Sequence, residues 1–302
     1  MKKQISMLGL SVAALMLMTA CSNPVEAKGG TEPVVAPQEY KTDPAIVAMV
    51  PAEVKAKGVL TVGVNADVPP IKFVNDDGEV TGLAPQLVDA AAQVMGLKTE
   101  MQLTSFDSLI PGLESNRFDL IASISDFQER QTKTDFIDYL YAGNAILASA
   151  DFEKDSATPA ELCGTSIAYI KGTQQQGLLE SAAAACTEAG QPTITASGYQ
   201  DASACILAIK SGQENAAWLD SPTVLYNASN DPELFKSIYN SANPGLYGIA
   251  VNKENTGLRD ALAAALKSLV ADGSYQTMVE AYGLQDSALP ELPFNQGGPI
   301  AG

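Results

Sequence analysis

Apolar positions along the chain follow two periods in turn. Runs of strand length at 58–64 (GVLTVGV), 98–103 (KTEMQL) and 119–124 (DLIASI) are separated by stretches whose apolar residues recur at helical spacing, 84–95 (APQLVDAAAQVM) and 106–116. Gly96 closes the first of these helices. A second set follows, with a strand over 163–169, a helix after Thr173, a strand near 193–196, a helix over 202–211 and a strand over 216–219. The last strand is 245–251 (GLYGIAV), and two helices, 257–271 and 274–282, end at Gly283. This alternation predicts an α/β fold in which helices cover both faces of each sheet. The tail 290–302, rich in Pro and Gly, is expected to be an extended or mobile cover.

The first residues break the pattern. Lys2 and Lys3 precede an apolar run over 5–18 that ends at Thr19, Ala20 and Cys21, the form of a lipoprotein signal cleaved before Cys21 with lipid on its thiol. An ordinary signal peptide or a short membrane anchor is the alternative. Such lipoproteins carry more than one acyl chain, which makes a stable anchor. Residues 21–54 are then expected to be a tether, because 22–44 is rich in Pro, Gly, Glu and Lys with little periodicity. No other apolar run approaches the roughly 20 residues of a membrane span.

Composition narrows the chemistry. The formal charge is −17, and removing residues 1–20 deletes two lysines and no acid, giving −19, which disfavours a nucleic-acid partner. Of four cysteines, Cys21 is assigned to lipid, so Cys163, Cys186 and Cys205 leave one intramolecular pair. Cys163 with Cys186 is the favoured pair, since Cys205 sits in an apolar helical pattern (ACILAI) and suits packing as a small hydrophobe. With no histidine and no CxxC spacing, neither a metal site nor a cofactor is implied.

Binding chemistry gathers where strands run into helices. In 106–141 (FDSLIPGLESNRFDLIASISDFQERQTKTDFIDYLY), Arg130 follows a strand, and Ser125, Asp126 and Glu129 read as a helix cap with its reciprocal glutamate. Hydroxyls of Ser123 and Ser125, free N–H groups and a guanidinium then meet in one place, as a small carboxylate requires. Thr173 in GTQQQ reads as an N-cap with Gln176 completing the box. Asp220 ends the apolar run AAWLD ahead of Ser221 and Pro222, where it is either a helix cap or an anionic ligand group.

These motifs, GVLTVGV, the 106–141 stretch, GTQQQ and WLDSP, appear in an order and spacing that resembles the amino-acid-type bacterial extracellular solute-binding proteins of ABC importers, often called family 3, from Gly58 to Gly283. The resemblance implies a two-lobed, periplasmic-binding-protein-like α/β fold, each lobe a central sheet flanked by helices and the two joined by crossover strands near 145–149 and 243–247. Lobe 1 would hold 55–146 and 246–302, and lobe 2 would hold 147–245. By the same resemblance Arg130 grips the ligand carboxylate, the turn of Gly172, Thr173 and Gln174 donates N–H groups to it, and Asp220 pairs with the ammonium. Phe106 and the backbone after Ser123 wall the ligand. Val68 stands where the family usually places an aromatic lid, and Asn65 where it places an acidic side-chain reader, with Asp67 a possible substitute. A polar uncharged ligand such as glutamine or asparagine is therefore expected ahead of arginine or lysine.

The implied function is a monomeric, lipid-anchored extracytoplasmic receptor that closes on a free amino acid and delivers it to ABC permease subunits. A lyase or dehydratase on the same fold competes with it, and would need a general acid that no histidine supplies here. A ligand-sensing module for a signalling partner is the third reading.

Overall fold

In a computed structural model the chain is described over residues 38–155, 157–241 and 245–299. The expected signal peptide and Cys21 lie outside these residues, as do Asn243 and Pro244 of the second expected crossover and the last three residues of the tail. Among the described residues no helix is long and apolar enough to cross a membrane.

Two short helices, α1 (Pro44–Met49) and α2 (Ala52–Lys57), lead into β1 (Val59–Val64). A three-stranded antiparallel meander follows, made of β2 (Asp67–Val68), β3 (Lys72–Val74) and β4 (Val80–Thr81). The chain continues through α3 (Leu83–Val94), β5 (Lys98–Leu103), α4 (Leu109–Glu114), β6 (Leu120–Asp126), α5 (Gln128–Gln131) and β7 (Thr134–Ala142). The second lobe comprises β8 (Asn144–Ser149), β9 (Ser166–Ile170), α6 (Gln174–Glu188), β10 (Thr195–Tyr199), α7 (Ala202–Lys210), β11 (Ala216–Asp220), α8 (Ser221–Asn230) and β12 (Phe235–Asn240). The first lobe is completed by β13 (Gly245–Asn252), α9 (Thr256–Ala271) and α10 (Ser274–Ala281).

Each lobe is built on a five-stranded mixed sheet, ordered β5-β1-β6-β13-β7 in lobe 1 and β10-β9-β11-β8-β12 in lobe 2. In both, three parallel strands are followed by an antiparallel pair. Helices on both faces explain the near-continuous burial of β6 and β11. Alternate residues of β11 enter opposite cores: Ala216 and Trp218 pack toward α6, while Ala217 and Leu219 pack toward α7. Ligands of open α/β sheets bind beyond the carboxyl ends of parallel strands, and here those ends carry Asn65, Asp126, Gly172 and Asp220.

Two boundaries move from their expected places. Ile46, Val50 and Val54 are buried in the lobe 1 core, so the folded body takes in residues 44–57 and the tether expected to reach residue 54 is shorter. The crossover expected at 145–149 is already part of the lobe 2 sheet, because Ala145 and Ile146 pair with Leu219 and Trp218. The chain passes between sheets at Gly143 instead, held by Ser221 through Gly143 N–H to Ser221 Oγ at 3.0 Å and Ser221 N–H to Gly143 O at 2.8 Å. Over its described residues the tail takes the extended one of its two expected forms: Phe294 bridges to Ile137 on the edge strand β7, Leu292 is buried, and Ala288 just before the tail bridges to Leu140.

Lobe 2 carries the Cys163–Cys186 disulfide, which ties the approach to β9 to the end of α6. Cys205 is free and buried against Ile209 and Phe235, as its helical pattern predicted.

Candidate functional site

A cleft between the lobes is lined from lobe 1 by Asn65, Val68, Lys72, Phe106, Ser125 and Tyr247, and from lobe 2 by Thr173, Gln175, Trp218, Asp220 and Thr223, among others. The space enclosed is about 20 Å³, room for about one water, so a larger ligand has to part these side chains.

Arg130, on α5, is not among the residues that line this space, but it packs against two that are, Ser125 and Phe106. Its guanidinium donates to Ser125 O at 2.7 Å and lies between two aromatic rings, 5.4 Å from the centre of Phe106 and 5.0 Å from that of Phe127. Burial pushes its pKa down to about 10, while Asp220 and Asp126 work in the opposite direction. The cap expected around it is absent: Ser125 and Asp126 end the strand β6, Phe127 occupies the cap position, and the helix is one turn long. Strand pairing with β13 claims the backbone of Ser125 and Asp126, overriding the local capping signal.

Asp220 faces Arg130 from lobe 2. It occupies the cap position of α8 but makes no side-chain bond to that helix. Its carboxylate turns into the cleft instead, accepting from Gln175 Nε2 at 2.7 Å and from the Tyr247 hydroxyl in a short contact. Burial raises its pKa, against the pull of these two donors and of Lys72 and Arg130. Gln175 also donates to Asn144 Oδ1 at 2.7 Å, and Asn144 lies opposite Asp220 in the β8–β11 ladder.

The turn before α6 places Gly172 at φ +79, a left-handed conformation that glycine adopts freely, with Asp107 of the other lobe close by. Thr173 stands at the cap position, yet its hydroxyl donates back to Ile170 O at 2.6 Å, and Gln176 accepts from Gly172 N–H rather than closing a box with Thr173. The first turn of this 15-residue helix therefore carries no side-chain cap, and Thr173 and Gln175 present that end to the cleft. Gln174 accepts from Asn144 Nδ2 at 3.2 Å; Gln175, not Gln174, reaches Asp220.

In lobe 1, Phe106 and Val68 form an apolar wall. The Ser123 hydroxyl faces Tyr139, accepting its O–H at 2.7 Å, so Ser123 offers the cleft region only its carbonyl. Asn65 lines the cleft, but both its polar atoms are engaged: Nδ2 donates to Asp67 Oδ1 at 2.6 Å, and Oδ1 accepts from Lys72 at 2.7 Å. Asp67 is engaged as well, since Oδ2 accepts from Ala202 N–H at 2.8 Å and so ties lobe 1 to the start of α7.

Lys72 went unnoticed in the sequence. Only 3 % exposed, it lines the cleft and donates to Asn65 Oδ1 and Ser123 O. Burial lowers its pKa to about 8, and nearby Asp67 and Asp220 limit the drop. Tyr247, Gln175 and Thr223 were missed too. For Tyr247 the β13 pattern GLYGIAV gave only a strand, and only the register beside β6 brings its hydroxyl to Asp220. Among the described residues no group of three or more His, Cys, Asp or Glu is placed to hold a metal.

Comparison with known proteins matches residues 60–285 to the family model described as bacterial extracellular solute-binding proteins, family 3. The chain is 31% identical over 255 residues to the arginine-binding protein ArgT of Corynebacterium glutamicum, covering 84% of this chain and 83% of that one. Among solved structures, a variant of the arginine-binding protein of T. maritima aligns with TM-score 0.68 at 28% identity, covering 79% of this chain and 99% of that chain. An ancestral amino acid-binding protein, a precursor of cyclohexadienyl dehydratase, also aligns with TM-score 0.68, at 25% identity over 76% of this chain and 97% of that one.

Proposed function

We infer, starting from a chain that belongs to the bacterial extracellular solute-binding proteins, family 3, that it captures a free amino acid between its lobes and hands it to the permease of an ABC importer. One observation carries this reading: Asp220 lines the cleft from lobe 2, Arg130 lies in lobe 1 against the cleft residues Ser125 and Phe106 and feels the charge of Asp220, and among the described residues neither is in an ion pair. An amino acid supplies the opposite charge to each. Its carboxylate lies against Arg130, with the uncapped end of α6 as a second donor set, and its ammonium displaces the Tyr247 hydroxyl from Asp220. A ligand that binds both lobes favours the form in which they touch, which is how its presence reaches a transporter.

We assign no bond chemistry to the cleft, because holding two charges accounts for what Arg130 and Asp220 do there. Anchoring through lipid on Cys21, a monomeric state and release from the cytoplasm are parts of the same proposal, supported by the N-terminal sequence and by the extracytoplasmic family. The side chain of the ligand does not follow from kinship.

Titration calorimetry on Arg130→Ala tests the assignment. The variant is expected to fold, since among the described residues Arg130 makes no ion pair, and to lose binding of every amino acid that the parent binds. Binding within about threefold of the parent would overturn it, given the strength of charge-assisted pairs.

A further inference from the structure

Lys72 is a buried cation with no carboxylate oxygen within ion-pair distance among the described residues, although the charges of Asp67 and Asp220 reach it. Its ammonium has three N–H donors, and Asn65 Oδ1 and Ser123 O take two of them. No ion pair among the described residues involves it. The two carboxylates nearest by charge are committed elsewhere: Asp67 to Asn65 and the start of α7, Asp220 to Gln175 and Tyr247. Beside it stands a second cation, Arg130, whose charge works against its own. The cleft lining itself holds one cation, Lys72, and one carboxylate, Asp220, which is bonded to Gln175 and Tyr247, so no carboxylate oxygen touches the ammonium. A buried charge is costly unless paired.

An amino acid with a neutral side chain brings one carboxylate and one ammonium. These satisfy Arg130 and Asp220 and leave Lys72 as before. A cationic side chain adds a third positive charge to the same small space. A dicarboxylic amino acid brings a carboxylate into contact with Lys72, an ammonium that has none within ion-pair distance among the described residues. Resting on the reading of Arg130 and Asp220 given above, we propose that Lys72 is the specificity-determining residue, that its third N–H receives a side-chain carboxylate, and that the ligand class is acidic amino acids. Thr223 strengthens the case: it lines the same cleft, is 1 % exposed, and its hydroxyl has no partner in the protein. A hydroxyl able to donate suits a carboxylate oxygen.

The expected amide ligand depended on Asn65 as the reader, and the two polar atoms of Asn65 are taken by Asp67 and Lys72. Lysine at 72 could instead only tie β3 to Ser123 of β6. A tie would affect all amino acids alike, whereas a reader affects the ratio of an acid to its own amide.

Calorimetry near neutral pH on the full chain, with L-glutamate, L-glutamine, L-aspartate, L-asparagine and L-arginine as probes, separates these. One acid should bind at least about tenfold tighter than its amide and than arginine, and Lys72→Met should bring that ratio to about one while amide binding persists. An amide or arginine binding as tightly as the acids, or an acid-to-amide ratio unchanged in Lys72→Met, would overturn the proposal and leave the amino-acid reading standing. Failure of all five probes to bind would overturn the acidic-ligand proposal, and failure of every other free amino acid as well would overturn the amino-acid reading. If Lys72→Met does not fold, the acid-to-amide ratio of the parent chain decides alone.

Discussion

At the scale of single residues, Asp220 sits where a helix cap would sit and does something else. Asparagine caps helices as well as aspartate does, and here no cap bond exists to be lost. Asp220→Asn is therefore expected to weaken amino-acid binding at least about tenfold, because a desolvated ammonium loses its counter-charge. Thermal unfolding should show the variant no less stable than the parent, since burial already disfavours the charged carboxylate. Unchanged affinity by calorimetry would remove Asp220 from the site. The roles proposed for Arg130 and Asp220 come from the resemblance to the family, to which the local pattern adds only that each follows an apolar strand where a helix begins. Lys72 was not legible. It lies in a strand of three residues, and lysine is a residue type that periodicity assigns to solvent. Its burial follows from long-range contact with Ser123, 51 residues away.

Among elements, the parallel strands and long helices are readable, while β7 and β12 are not, and β8 is expected only as a crossover strand near 145–149. In β7 (TDFIDYLYA) two buried acids, Asp135 and Asp138, interrupt the apolar alternation, and their partners come from distant parts of the chain. Asp135 pairs with Arg259 of α9 at 2.8 Å. Asp138 lies beside Asp126 of β6, and the C-terminal strap clasps both: Gln296 N–H donates to Asp138 Oδ2 at 3.1 Å and Gly297 N–H to Asp126 Oδ2 at 2.7 Å. Burial, and then the charge of Asp126, lift the Asp138 pKa from 3.8 to about 7. A carboxyl whose pKa is raised by folding binds its proton more tightly in the folded state, so its contribution is most favourable at acid pH. That contribution declines as pH rises from about 4 to about 7 and is flat above. Asp138→Asn should accordingly flatten the fall in unfolding free energy across this window, measured by urea melts at half-unit steps of pH. A slope equal to that of the parent would show that another group controls it.

For the whole molecule, strand and helix alternation gave the α/β class but could not show where the chain changes sheets. That position depends on Gly143 being bound by Ser221, a contact 78 residues long in sequence. Lobe 2 has its own covalent brace in Cys163–Cys186, 23 residues apart. Opening a loop of this size should cost about 3 kcal/mol by loop entropy. Cys163→Ala with Cys186→Ala should lower the denaturant midpoint by a corresponding amount, with Cys205 in the parent labelled by a thiol reagent only after unfolding, since burial pushes its pKa up to about 12. A midpoint equal to the parent's would mean that the bridge does not brace the lobe. Finally, the chain has a single tryptophan among its 302 residues, and Trp218 lies two residues before Asp220, 3 % exposed, lining the cleft and edge-on to Tyr239 at 6.0 Å. All indole emission from this protein therefore originates beside the ligand cleft, with no second fluorophore of its kind to dilute it, so the receptor carries a built-in optical gauge of its own occupancy.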